Sequence, residues 1–491
     1  MAPVNLSSIL SALFPTTRVG SHGQTDVYVQ HAEPLPDHDL HNSWGCNYSG
    51  QTVLKNERIR QLWEEFGRDP TKVRRNYHNL LREYIYLFRE FFEGYYPISL
   101  HAHVSDALSP TTVASLIRNT CASSPLVLNN PDLAPSPSPV EDGKKIQRFV
   151  AEYLGWDESH VEHPRFAVVQ GLYGAGFGPL AHISKEWEMQ IIASGPKPFI
   201  VSVGGGVTQE QLNTALAQAK RQGCIAVVVD IVSTDNGSVL PPEHFKLLRR
   251  CCEQNKLWFI VDEALTAIRC GAPFAFQRSE YDGEKPDLVA FGKGLGASGI
   301  AINFDGSMTE PLGFARKKDI DQTIMYWHAL VSRPLETPVL LEALGILHTA
   351  QAENWPRRSL EIRKAFYEVI QESYPGEPVR GLGAILVLDR SVSMRFHTMA
   401  GIRRRSPWVR WLPKLDPANT KRELLETHVL GPQSKKNRAK LAAEAGQDGT
   451  MPPWCFVCGI NSTSDDWCRT CFLGCCENEV CDGVFRAHTC I

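Results

Sequence analysis

Two stretches decide the reading of this chain: Leu257-Trp258-Phe259-Ile260-Val261-Asp262-Glu263 and, further along, Leu288-Val289-Ala290-Phe291-Gly292-Lys293-Gly294. Each is a short apolar run that stops abruptly on polar residues. Runs of this length without polar alternation fit strands buried on both faces of a mostly parallel sheet. In such open sheets reactive groups gather beyond the carboxyl ends of the strands. An acid after one run and a lysine after the other can therefore face one crevice. Taken singly, Asp262 reads equally as a helix cap, and Lys293 as a phosphate ligand or a surface residue. Their order, within an alternating pattern, is what points to chemistry.

The pattern alternates on both sides of these runs. Phe166–Val169 reads as a strand, followed by the glycine-containing loop Gly171–Gly178. Phe199–Val203 reads as a second strand, Gln209–Gln222 as a helix, Cys224–Val229 as a buried strand and Glu243–Asn255 as a helix. Strand–helix alternation of this kind predicts a parallel sheet with helices on both faces. Toward the N-terminus, Lys55 to Phe92 has a helical pattern rich in aromatic and basic residues, and the Pro- and Ser-rich Ser123–Val140 reads as a loop or linker. Beyond the sheet, Pro338–Ala350 and Arg357–Glu372 read as helices and Ala384–Leu388 as a strand. The expected domains are an N-terminal helical segment 1–140, a large domain 141–310, a smaller α+β domain 311–445, and a Cys-rich tail 446–491.

Bulk properties narrow the class. The chain has 491 residues, enough for several domains, with 43% hydrophobic and 21% charged residues, ordinary for a soluble globular protein. A net charge of -3 gives no reason to expect nucleic acid or a membrane surface as partner. No apolar run reaches the roughly 20 residues a membrane span needs. Met1 to Gly20 lacks the basic-then-apolar layout of a secretory signal, so a cytoplasmic location is the default expectation.

The matching text goes further. Ile225-Ala226-Val227-Val228-Val229-Asp230, then Asn236-Gly237-Ser238-Val239-Leu240-Pro241-Pro242, then Phe259-Ile260-Val261-Asp262-Glu263 and Pro286-Asp287-Leu288-Val289-Ala290-Phe291-Gly292-Lys293 follow one another at the spacing of the class III aminotransferases. Val379-Arg380-Gly381-Leu382-Gly383 resembles that family's Arg-Gly-x-Gly turn. Val409-Arg410-Trp411-Leu412-Pro413-Lys414-Leu415 resembles its Arg-x-x-Pro-Pro-Leu segment. Over roughly 160–415 the chain thus resembles a divergent member of this branch of the fold-type I enzymes that use pyridoxal 5'-phosphate (PLP).

The resemblance implies roles. Lys293 would condense with the cofactor's aldehyde and later move a proton at the substrate's α-carbon. Asp262 would keep the pyridine nitrogen protonated, making the ring an electron sink. Ala264 falls in the same cofactor-contacting run. The loop Tyr173-Gly174-Ala175-Gly176, between a strand and a helix, is the candidate phosphate cradle, because phosphate is held by backbone N–H groups at a helix start. Arg410 is the candidate for the substrate carboxylate, which favours a planar two-pronged donor. The family's dimeric sites imply a homodimer, with an amino compound and an oxo-acid acceptor as small-molecule partners.

The sequence also departs from the family. Leu265 stands where a Gln usually contacts the cofactor's phenolic oxygen. The Ser-Gly-x-Glu-Ala phosphate signature is not recognisable in Gly171–Pro179, and Gly204-Gly205-Gly206 lies where an aromatic-His-Gly segment is expected. Transamination is therefore the default reaction, with decarboxylation, racemisation or carbon–carbon chemistry as alternatives.

The C-terminus carries a separate signal. Cys455-x-x-Cys458 and Cys468-x-x-Cys471 have the spacing of a four-cysteine zinc site, and eight of the 14 cysteines cluster after position 450. A tail this short would need such a staple to fold. A non-catalytic protein acting through a zinc-binding tail is the remaining alternative.

Overall fold

The computed structural model describes residues 70–101, 107–133, 139–172, 179–183, 193, 195–233, 236–281, 283–314, 320–321, 323–325, 328, 337–373, 375–388 and 408–410. The chain divides into two compact units, Val53–Asn354 and a second made of Met1–Thr52 with Trp355–Ile491.

The first unit is built on a seven-stranded sheet. Its strands are β1 (Tyr95–His101), β2 (Arg165–Val169), β3 (Phe199–Val201), β4 (Cys224–Asp230), β5 (Trp258–Asp262), β6 (Leu288–Phe291) and β7 (Ser298–Asn303). They lie in the order β1-β7-β6-β5-β4-β2-β3. Strands β3, β2, β4, β5 and β6 pair in parallel, and β7 runs antiparallel to both β6 and β1. This is the mostly parallel α/β architecture expected from the sequence. The central strands explain why: every residue of Cys224–Val229 is buried, as a strand covered on both faces requires.

Helices cover the sheet by presenting one apolar stripe each. Gln209–Arg221 starts at a capping box in which Thr208 accepts from the Gln211 N–H, and it buries Leu212, Leu216 and Ala219 at helical spacing. Pro242–Gln254 buries Phe245, Leu248, Arg249, Cys251 and Cys252. The helix Pro70–Phe91 buries Leu80, Tyr84 and Phe88 four residues apart. The Phe88 ring centroid lies 4.7 Å from that of Phe291 and 4.3 Å from that of Phe92, both tilted, and Phe92 stacks on Phe274 at 4.0 Å. This aromatic cluster fastens the last residue of β6, just before Gly292-Lys293. Thr337–Ala352 packs against Pro70–Phe91 and buries Leu340, Ala343, Leu344, Ile346, Leu347 and Ala350.

Tyr95–His101, within the segment 1–140 expected to be helical, is an edge strand of this sheet. Its Pro97 sits at a register irregularity against β7, a place where a residue without an N–H is tolerated. Within the Pro- and Ser-rich stretch, Pro125–Leu128 forms a single helical turn and Pro131–Leu133 a 3-10 turn.

In the second unit, Trp355–Ser373 is a helix with Trp355, Ile362, Phe366 and Ile370 buried. Strand β8 (Ile385–Val387) pairs antiparallel with β9 (Trp408–Arg410), placing Ile385 opposite Arg410. The Arg363 guanidinium donates to the carbonyls of Val379 (2.9 Å) and Ile385 (3.4 Å), tying the helix to the turn before β8.

Candidate active site

Asp262 is the last residue of β5 and pairs in register with Ala290 of β6. The Glu263 N–H donates to the Ala290 carbonyl at 2.8 Å, so the β5–β6 pairing continues one residue past Asp262. Lys293 begins the turn that follows β6. The two side chains therefore leave the same end of two adjacent strands. They sense one another electrostatically: burial pushes the Asp262 carboxyl up, and the nearby Lys293 ammonium is the first influence that pulls it back. The Ala264 N–H donates to Asp262 Oδ1 at 3.0 Å, fixing one carboxylate oxygen. Ala264 itself is buried.

Lys293 adopts a left-handed backbone, φ +46°, which is uncommon for a residue with a side chain. The surroundings hold it there. Gly292 faces Ser298, whose Oγ would lie 2.6 Å from any added methyl. Gly296 closes the turn at φ +74°, and a methyl there would meet Ile346 Cδ1 at 2.5 Å and Ala343 of Thr337–Ala352 at 3.4 Å.

Behind Asp262 lies Glu263, fully buried. It accepts from the Thr266 hydroxyl and from the Phe276 N–H at 3.2 Å. It thereby closes the loop between β5 and the Ala275–Gln277 turn. Burial pushes its carboxyl up to about 7. At the opposite end of the strand pair, Asp287 accepts from Arg249 Nη1 and Nη2, both at 3.1 Å, and from the Phe259 N–H at 2.9 Å.

Asp262, Ala264 and Lys293 are thus brought together. Tyr173, Gly174 and Ala175 lie outside the described residues, as do Cys455, Cys458, Cys468 and Cys471. Arg410 ends β9 in the second unit, and its side chain lies outside the described residues. Among the described residues no group of three or more His, Cys, Asp or Glu side chains is arranged to hold a metal. None of the described helices is long and apolar enough to cross a membrane.

The sequence reading assigned no role to Glu263, Arg249, Asp287 or Arg269. Two of these carried a legible signal. Thr266 follows Glu263 at the spacing of a side-chain pair in a turn, and Arg249 interrupts an apolar helix face four residues after Phe245. Arg269, which is fully buried, carried none.

The site is thus a mostly parallel sheet with an acid and a lysine at neighbouring strand ends, the lysine run preceded by Pro286-Asp287 and followed by a glycine turn. The chain is similar to the class III aminotransferases: residues 202–401 match the Aminotransferase class-III family. It is 28% identical over 185 residues to ornithine aminotransferase 2 of Staphylococcus aureus (strain Mu50), covering 37% of this chain and 44% of that protein. It is 24% identical over 202 residues to the ornithine aminotransferase of Oceanobacillus iheyensis, covering 41% of this chain and 46% of that protein. The chain therefore spans under half the length of the curated relatives it matches. Among solved structures it is similar to a lysine aminotransferase from M. tuberculosis, with a TM-score of 0.49, 14% identity, and coverage of 76% of this chain and 83% of that one.

Proposed function

We propose that this protein is a PLP-dependent aminotransferase acting on an amino acid or amine, with Lys293 as the covalent cofactor-holding residue and Asp262 as the partner of the ring nitrogen. The observation that carries the reading is the Asp262–Lys293 pair at the ends of β5 and β6, inside the region that matches the class III family.

The residues fit the cofactor. Asp262 has one oxygen bound by the Ala264 N–H, and its carboxylate is disfavoured by burial, so a cation placed against it is strongly welcomed. The protonated ring nitrogen is such a cation. When bound, PLP supplies an electron sink for charge at the substrate's α-carbon. Lys293 would hold the cofactor's aldehyde carbon and, once displaced by the substrate amine, carry a proton to and from that α-carbon. Its fixed backbone keeps the amine within reach of one position. Leu265 is apolar where the related enzymes place a Gln, so no side chain from this position holds the ring oxygen.

Because both curated relatives are named ornithine aminotransferases, amino acids with a terminal amine are the first donors to test, with an oxo-acid as acceptor. Arg410 is proposed to receive a substrate carboxylate, and the loop containing Tyr173, Gly174 and Ala175 to receive the cofactor phosphate. A homodimer is proposed from the family resemblance. Zinc is proposed for Cys455, Cys458, Cys468 and Cys471 from their spacing, to be tested by the metal content of the full chain against a form ending at Gly449; equal content sinks it.

The primary test is spectroscopic. The purified protein with PLP should show a yellow lysine-linked chromophore, and borohydride should fix the cofactor on the peptide containing Lys293. Cofactor trapped on a different lysine would overturn the assignment. Failure to pass an amino group to any oxo-acid, with the chromophore intact, would redirect the reading to decarboxylation, racemisation or carbon–carbon chemistry.

A further inference from the structure

We infer that Arg269 is a positioning residue for Lys293, acting through Gly294; the inference rests on Lys293 being the cofactor-holding lysine. Arg269 is fully buried, which is costly for a guanidinium and unusual without a specific task. Its position shows the task. Its Nη1 lies 3.4 Å from the Leu265 carbonyl, on the loop that leaves Asp262. The rest of the guanidinium lies against Gly294: a methyl built on that glycine would sit 3.0 Å from Nη2, 3.2 Å from Nε and 3.3 Å from Cζ. One planar side chain therefore touches both the limb that carries Asp262 and the turn that carries Lys293.

The turn needs such a support. A left-handed backbone is strained at a residue with a side chain, and Lys293 adopts one. Left alone, the turn would relax toward the right-handed region and swing the lysine away from Asp262. Thr337–Ala352 braces the turn at Gly296 through Ile346. Arg269 braces it at Gly294.

The same contact explains why position 294 is glycine. Gly294 is not among the residues with positive φ, so its backbone would accept an alanine. All three of the nearest atoms to an added methyl belong to Arg269. The obstruction to a side chain at 294 is therefore Arg269, and removing the guanidinium should make room for one. A lysine in place of Arg269 keeps charge and stem but loses the planar guanidinium that faces the side-chain position of Gly294.

The test is a double-mutant cycle in the full chain with Arg269→Ala, Gly294→Ala and the pair. Two readouts are taken: PLP affinity with borohydride trapping mapped to Lys293, and the urea midpoint of the cofactor-free protein. Gly294→Ala alone should weaken PLP binding and Lys293 trapping about tenfold or more, because sub-ångström displacement of a reactive group costs this much. On the Arg269→Ala background the same change should cost less than about twofold. Equal losses on both backgrounds would overturn the inference.

Arg269→Lys is the second variant, in case Arg269→Ala does not fold. It should lower PLP affinity about tenfold at a urea midpoint close to that of the unaltered protein. Unchanged affinity would overturn the inference as well. A wild-type chain that traps no cofactor at Lys293 would instead overturn the functional reading, and it is recognised before any substitution is made.

Discussion

The β5–β6 pair carries an acid–cation couple at each end, and the two are built in opposite ways. Asp287, before β6, is fully enclosed, and its two oxygens accept from both outer nitrogens of Arg249, while Phe259 and Met308 add backbone N–H groups. Asp262, after β5, keeps a partly exposed edge and accepts the Ala264 N–H on one oxygen. The first couple is closed: a planar fork meets a carboxylate and the leftover lone pairs are used. The second is open: a flexible amine stands near a carboxylate that still has an oxygen to offer. Saturation fixes two strands together, whereas an unfilled oxygen leaves a place for a ligand.

This contrast predicts that substitutions at the two ends act on different properties. Lys293→Ala should have the largest effect of all: the lysine-linked chromophore disappears and turnover falls by about 10³-fold or more, since both the covalent link and the proton carrier are lost. Its urea midpoint should stay close to that of the unaltered protein. A fully active Lys293→Ala would break the comparison at its root.

Asp287→Asn comes next, and its effect should be on stability. It leaves the Arg249 guanidinium buried without a counter-charge, which costs about 3–5 kcal/mol. Urea unfolding of the cofactor-free protein measures it. Asp262→Asn, at the open end, should cost under about 1 kcal/mol by the same measurement, yet lower turnover by about 10²–10³-fold because a neutral amide cannot hold the ring proton. Comparable stability losses at both positions would show that the two couples are alike after all.

How much of this was legible beforehand follows from the range of the interactions. The strands around Asp262 and Lys293 were readable because burial on both faces writes itself into consecutive residues, as in Ile225–Val229. So was the order of acid and lysine, since strand ends in such sheets converge. The edge strand Tyr95–His101 was not, because Pro97 and the mixed residues around it carry no run or alternation, and its place is set by pairing with β7 far along the chain. The Arg249–Asp287 lock was half-legible: a charge on an apolar helix face announces a partner without naming it. The Arg269–Gly294 contact was illegible, because a glycine looks the same whether it serves a turn or makes way for a neighbour. Where Tyr173, Gly174, Ala175 and the tail cysteines were singled out, the reading rests on spacing and resemblance.

The smallest effect separates the open end from the acid directly behind it. Glu263 is fully buried, and burial raises its carboxyl to about 7 from the ordinary 4.5. Below about pH 4.5 the group is protonated in the folded and unfolded chain alike. Between 4.5 and 7 the folded chain still holds a proton that the unfolded chain has released, so stability falls as the pH rises through this window. Above 7 the buried carboxylate is ionised and the loss is complete, up to about 3 kcal/mol. His328 works in the other direction: burial lowers it to about 4, so the unfolded chain holds the extra proton between 4 and 6.5, and stability rises with pH there. The total profile mixes these with the shifted carboxyls of Asp157, Asp262 and Asp287, and the difference between the unaltered protein and Glu263→Gln isolates Glu263. The Gln keeps an acceptor for the Phe276 N–H and an amide for the Thr266 hydroxyl, so the loop should still close. Relative to the unaltered protein, Glu263→Gln should gain stability steadily from pH 4.5 to 7 in urea titrations. A constant difference across that range would show that Glu263 does not hold its proton in the folded chain, and that the carboxyl behind Asp262 is as open to charge as Asp262 itself.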